Sequence, residues 1–204
     1  MSRPRALLLA STNRGKLREL QQIMAGEPLT VLTLADFPGI EPPAEDTDSF
    51  MGNAVRKAEY YARRTGQWTL ADDSGLEVDA LGGAPGVHSA RFAGQHGDDA
   101  ANNRKLVAAL RGVPPERRTA RFRCAAVVSD GSNVIASAEG AVCGRIIDEP
   151  RGENGFGYDP HFLLPERGVT TAELPPEEKH RISHRGQALR AIAAQLRARL
   201  AAQT

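Results

Sequence analysis

Leu7-Leu8-Leu9-Ala10-Ser11-Thr12-Asn13-Arg14-Gly15-Lys16 decides the reading of this chain, because an apolar run gives way to small polar residues and a helical pattern starts directly after them. A buried strand that turns into a helix leaves the first N–H groups of that helix without partners, and such groups attract anions. Asn13 adds a donor to the same space, and Lys16 adds a compact point charge. The stretch lacks the GxxxxGK[ST] spacing of a Walker A loop. Taken alone, it is equally an ordinary strand-to-helix turn capped by Thr12 or Asn13.

Working outward, residues 5–10 read as a buried strand. Residues 15–25 read as an amphipathic helix with Leu17, Leu20, Ile23 and Met24 on one face and a stop near Gly26, and residues 29–34 as a second strand. Strand, helix, strand in that order predicts a right-handed crossover with a parallel pair, which sets the turn at the carboxyl ends of the strands where open sheets bind ligands. A long irregular stretch rich in Pro and acid follows at 35–49, a length that is usually functional or mobile. Residues 50–65 have helical spacing with Gly66 as the stop. A short buried strand at 68–71 then runs into Asp72-Asp73-Ser74-Gly75, read as a strand end. Beyond a glycine-rich loop at 81–94, a helix is predicted over 98–111 with Leu106, Val107 and Leu110 inward. Two long strands at 118–128 and 133–147 are joined by the hairpin signal Ser129-Asp130-Gly131-Ser132, and a closing helix covers 185–201.

Composition narrows the function classes. A chain of 204 residues, 41% of them hydrophobic, can bury a real core, and no linker divides it, so residues 1–204 read as a single domain. The net charge of +1 provides no broad field for a nucleic-acid backbone, and no basic patch compensates. No apolar run approaches a membrane span or a signal segment. Cys124 and Cys143 lie in strand-like runs without CxxC or His-paired spacing, so both read as buried small hydrophobes in a reducing, cytoplasmic protein. Lys16, Lys57, Lys105 and Lys179 are the only lysines among 26 basic residues. Lys16 and Lys179 are singled out, because a planar guanidinium replaces an ammonium poorly.

Three further constellations carry chemistry. Asp72 and Asp73 form a carboxylate pair of the kind that holds Mg2+, a hard cation that prefers oxygen ligands, and alternation along a strand gives the two different faces and different jobs. An Asx-turn is the competing reading. Glu45, Asp46 and Asp48 in the acidic loop could complete an ion shell, or simply be solvated. In Gly152-Glu153-Asn154-Gly155-Phe156-Gly157-Tyr158-Asp159-Pro160, glycines flank aromatics, which suits a stacking platform for a base. Lys179 to Gly186 gather donors in what reads as a turn before the last helix, where Ser183 or His184 could equally be its cap.

Together, Ser11 to Lys16, Asp72 to Leu76, Gly82 to Gly86 with Ser89-Ala90-Arg91, Phe156 to Pro160 and Ser183 to Gly186 resemble the inosine triphosphate pyrophosphatase family, in the family's order over nearly the whole chain. The related septum-associated nucleotide pyrophosphatases open on a Ser-Pro-Arg-Arg turn, which is absent here. The resemblance implies an α/β fold with an elongated mixed sheet flanked by helices, two lobes with a nucleotide cleft between them, and a homodimer. It implies Mg2+-dependent hydrolysis of dITP, ITP and XTP to a monophosphate and pyrophosphate. By position, it gives Ser11, Thr12, Asn13, Arg14, Gly15 and Lys16 to the triphosphate and Asp73 to proton acceptance and metal binding. Ser74 falls on the phosphate side, and Phe156, Gly157, Tyr158, Asp159, Lys179, His184 and Arg185 fall to the base. The second metal ligand is placed at Glu45, with Asp46 the alternative. The family commonly has one more residue before Phe50 and often an acid where Gly52 stands.

Overall fold

The computed structural model describes residues 5–12, 14–26 and 29–202. Strand β1 (Arg5–Leu9), helix α1 (Arg14–Ile23) and strand β2 (Leu29–Thr33) open the chain. β1 pairs in parallel with β2, Leu7 against Val31, and also in parallel with β3 (Trp68–Val78), Leu9 against Leu70. A strand with parallel neighbours on both sides is covered on both faces, which is why Leu7, Leu8 and Leu9 run apolar without alternation and are all buried. Helix α2 (Phe50–Thr65) starts where Ser49 Oγ accepts from Gly52 N–H at 3.0 Å and ends at Gly66, left-handed at φ 67°.

β3 departs from the sequence reading. It runs through Asp72-Asp73-Ser74-Gly75 to Val78 and does not end at Ala71. The carboxylates find cationic and amide partners in the fold, so the strand has no need to break there, and Leu76 and Val78 resume a fully buried run.

Helix α3 (Asp99–Ala109) is capped by Asp98, whose side chain accepts from Ala101 N–H at 2.9 Å. Strands β4 (Thr119–Ser129) and β5 (Val134–Ile146) form the expected hairpin, where Asp130 Oδ1 accepts from the amides of Ser132 and Asn133. β6 (Phe162–Leu164) and β7 (Val169–Thr170) add antiparallel pairs, giving a mixed sheet ordered β2-β1-β3-β4-β5-β6-β7. The expected turn at Lys179 is instead helix α4 (Pro176–Ile182), followed after Ser183 alone by α5 (His184–Ala201). Pro176 in the first turn and Glu177 and Glu178 behind it form a helix start that outweighs the loop reading.

Contacts divide the chain into two units. One comprises residues 1–73, 124–140 and 185–204, and the other residues 74–123 and 141–184. The core of the first gathers Leu7, Leu9, Leu20 and Leu70 with Val128, Ile192 and Leu196. The core of the second gathers Leu76, Val78, Leu106 and Leu110 with Phe122, Tyr158 and Phe162. Cys124 is buried as expected, whereas Cys143 is exposed, because alternation along β5 turns Val142 toward the second core and Cys143 away from it. No helix among the described residues is long and apolar enough to cross a membrane.

Candidate active site

The first unit assembles a charged cluster from the ends of β1 and β3. The Ala10 N–H donates to Leu70 O at 2.8 Å, so the two strands stay paired to the point where one enters the Ser11 turn and the other reaches Asp72. Lys16, in the first turn of α1, meets Asp72 there, its Nζ 2.8 Å from both carboxylate oxygens. Arg185, the second residue of α5 and by resemblance a base contact, stands beside Lys16 and donates Nε–H to Asp72 Oδ2 at 3.1 Å. Asp72 is only 4% exposed and Lys16 20%.

Asp73 has a different set of partners. Asn53 of α2 donates Nδ2–H to Asp73 Oδ2 at 3.0 Å, and its Oδ1 accepts from the Thr47 amide and hydroxyl, which fixes which way the amide faces. One turn along α2, Lys57 Nζ lies 2.9 Å from Glu45 Oε1. Asp46 turns away to an exposed pair with Arg56. The acidic loop fits closely over the start of α2: a Cβ on Gly52 would lie 2.6 Å from Thr47 Oγ1 and 2.9 Å from Ser49 Oγ. A side chain at position 52 would therefore require the Thr47 and Ser49 hydroxyls to move.

These charges do not cancel evenly. Burial alone would raise the Asp72 carboxyl, yet Lys16, Arg185 and Lys57 together hold it far below the usual carboxylate range. Lys16 is lowered, by burial first and then by Arg185 and Lys57, which outweigh what Asp72 returns. Asp73 moves the other way. Burial raises it, and Glu45 and Asp72 add to that against Lys57 and the Asn53 hydrogen bond. Lys57 opposes its own burial through Asp72, Asp73 and Glu45 and ends raised. The cluster is therefore polarised. Lys16 and Arg185 gather on Asp72 at one end, and Asp73 and Glu45 gather around Asn53 and Lys57 at the other.

The remaining residues of the opening turn fall as follows. Ser11 is half-buried with its N–H on Leu9 O at 2.9 Å, and Thr12 is exposed. Arg14 and Gly15 open α1, and Asn13 lies outside the described residues. Ser74 follows Asp73 in β3 and is half-buried.

The second unit builds its own group around Phe156, a residue 56% exposed. Lys179 Nζ stands 5.2 Å from the ring centroid and pairs with Asp159. Asp159 is buried and also accepts from the Phe156 N–H at 2.8 Å and the Thr171 hydroxyl at 2.8 Å. Tyr158 does not share the platform reading. It is 4% exposed, packs in the core and donates its hydroxyl to Ser89 O at 2.8 Å. Gly157 turns with φ 63° between the exposed and the buried ring. His184 stacks on Phe122 with centroids 5.1 Å apart, at one side of a narrow hollow that Asp159, Lys179 and Ser183 also line.

Comparison with known proteins places this arrangement. The Ham1 family profile matches residues 7–195. The chain belongs to the Ham1 family. A dITP/XTP pyrophosphatase of Desulforamulus reducens is 51% identical over 184 residues, covering 90% of this chain and 92% of the relative. One of Thioalkalivibrio sulfidiphilus is 51% identical over 197 residues, covering 95% and 99%. Among solved structures, a HAM1 protein from Coxiella burnetii superposes with a TM-score of 0.88 at 39% identity, over 94% of this chain and 98% of that one. A nucleoside-triphosphatase, dITP/XTP pyrophosphatase, from Mycobacterium abscessus gives 0.76 at 41% identity, over 98% and 97%.

Two members of the Ham1 charged cluster escaped sequence reasoning, Asn53 and Lys57. Their spacing of four puts both on one face of α2, and Lys57 is one of four lysines in an arginine-rich chain, so a signal was present. The Ham1 cluster lacks the three-ligand cage of a permanent metal centre: among the described residues, no three His, Cys, Asp or Glu side chains are grouped to hold an ion.

Proposed function

We propose that this Ham1 chain hydrolyses dITP, ITP and XTP to the monophosphate and pyrophosphate, removing nucleotides that would otherwise be misincorporated into DNA or RNA. The observation that carries the reading is the polarised cluster of the first unit: a polyphosphate suits the end where the two cations Lys16 and Arg185 share Asp72, and a divalent cation suits the end where the carboxylates of Asp73 and Glu45 gather near Lys57. Mg2+ suits two carboxylates better than a full cage, because it keeps waters and takes further ligands from substrate phosphates. Glu45 and Asp73 would hold it, since Asp46 is committed outward to Arg56. Bound there, Mg2+ would supply charge that offsets the phosphates and would favour deprotonation of the attacking water.

The chain's own residues then divide the work. Asp73 accepts the proton of the water that attacks the α-phosphorus. The bond from the α-phosphorus to the bridging oxygen breaks and pyrophosphate leaves. Lys16 and the N–H groups opening α1 stabilise the growing negative charge, Ser11 binds beside them, and Ser74 is assigned to the phosphates. In the second unit, Phe156 stacks on the base while Lys179, held by Asp159, and His184 address its edge. Donors facing position 6 accept a 6-oxo purine and leave adenine's amino group without a partner.

The test is a panel of nucleoside triphosphates with Mg2+, assayed for pyrophosphate against orthophosphate. Pyrophosphate from dITP and XTP is expected, and orthophosphate as the main product overturns the reading. Discrimination against dATP in kcat/KM should reach about 10⁴-fold, and comparable values for dATP and dITP would remove the donor arrangement. Chelation of Mg2+ should abolish turnover, with full recovery on adding it back. The free thiols of Cys124 and exposed Cys143 suit a reducing cytoplasm. We read the active species as a homodimer, which sedimentation would report at twice the chain mass of 21.9 kDa.

A further inference from the structure

We propose that Asp99 and Asn103 of α3 are positioning residues that hold Phe156 ready for the purine, and so set base affinity without touching the nucleotide. The inference rests on the reading of Phe156 as the stacking surface. Asp99 and Asn103 stand four apart, on one face of α3. Asp99 Oδ2 accepts the Gly157 N–H at 2.7 Å, and Asn103 donates Nδ2–H to the Gly157 carbonyl at 2.8 Å. The residue after Phe156 is thus gripped at both its backbone donor and its acceptor. On the other side, Asp159 takes the N–H of Phe156 itself. Three polar contacts from two elements therefore fix the backbone on both sides of one exposed ring.

The turn is closely packed at Gly155. Gly155 sits at φ 84°, and a Cβ there would lie 2.2 Å from Asp159 Oδ2 and 2.8 Å from Lys179 Nζ. Phe156 is one of only two large hydrophobic side chains exposed among the described residues. An exposed aromatic on an untethered glycine turn would sample many positions and lose that freedom on binding, a direct cost in affinity. Tethering removes the cost in advance. The Asn103 Oδ1 is buried with no hydrogen-bond partner, so the amide is oriented by the Gly157 contact and by no competing one.

The experiment compares Asn103→Ala, Asp99→Ala, Phe156→Ala and the double variants in the full chain with Mg2+. KM for dITP and the inhibition constant of tripolyphosphate, which has no base, are both measured. Base on aromatic stacking is worth about 1–3 kcal/mol, or about 5- to 150-fold. Phe156→Ala is therefore expected to raise KM within that range, and each α3 variant by a smaller factor of about 3- to 20-fold. In the α3 variants kcat and the tripolyphosphate constant should stay within twofold, which general loosening of the fold would not leave intact. Each α3 change should add nothing once Phe156 is alanine. If Phe156→Ala raises KM but both α3 variants match wild type, or if their effects multiply with it, this inference falls alone. If Phe156→Ala leaves KM unmoved, the stacking reading falls and takes the inference with it.

Discussion

Asp73→Asn is expected to lower kcat for dITP by about 10²- to 10⁴-fold, the range that general acid–base groups contribute, while the protein stays folded. Asparagine keeps the shape and can still accept the hydrogen bond from Asn53, but it takes no proton at neutral pH. Thermal stability should hold or rise, because burial and the neighbouring carboxylates of Glu45 and Asp72 all press against a charge at this position. Apparent Mg2+ affinity should fall in the same variant, so kcat is read at saturating metal and substrate. Single-turnover measurement then separates the chemical step from product release. Glu45→Gln provides the comparison. If Glu45 serves only the metal, raising Mg2+ should restore most of its turnover, whereas no concentration should restore Asp73→Asn. Turnover of Asp73→Asn within tenfold of wild type would remove Asp73 from proton acceptance.

The sequence was most legible where local signals and tertiary demands agreed. Leu7-Leu8-Leu9 announces a strand covered on both faces, and Gly66 stops α2 at its observed end. Asp130-Gly131 turns the hairpin as its residue types require. Legibility failed where partners distant in sequence changed the local outcome. Asp72-Asp73-Ser74-Gly75 looks like a strand end because two acids and a glycine disfavour a strand, yet Lys16, Arg185 and Asn53 hold both carboxylates and the strand continues. Tyr158 looks like a partner of Phe156, and only the packing of Ser89 beneath it reveals a core residue. Lys57 is not legible as a site residue in the sequence, because its importance arises from Glu45, Asp72 and Asp73 together, a relation between a loop, a helix and a strand. The opposite faces of Asp72 and Asp73, by contrast, follow from strand alternation alone and could be read in advance.

That division between neighbouring aspartates leads to the second large effect. Asp72→Asn is expected to act on stability, since Asp72 is a buried counter-ion to Lys16 and Arg185. Removing one partner of a buried ion pair costs about 3–5 kcal/mol. The lower end applies because Lys16 is 20% exposed and can recover some hydration. For a chain of this size that corresponds to a fall of about 6–12 °C in the unfolding midpoint. The pH dependence follows from the sign of the shift. The folded carboxyl is held below its unfolded value of about 3.9, so its contribution is complete above that pH and fades as pH falls further, when the unfolded chain takes up the proton first. The gap between wild type and Asp72→Asn should therefore be constant from about pH 8 to pH 5 and narrow below about pH 4. Tripolyphosphate should stabilise the variant more than wild type, because it meets two cations that have lost their buried counter-charge. A midpoint within 2 °C of wild type at neutral pH, or a gap that widens in acid, would show that Lys16 and Arg185 do not depend on Asp72 in the way the geometry requires.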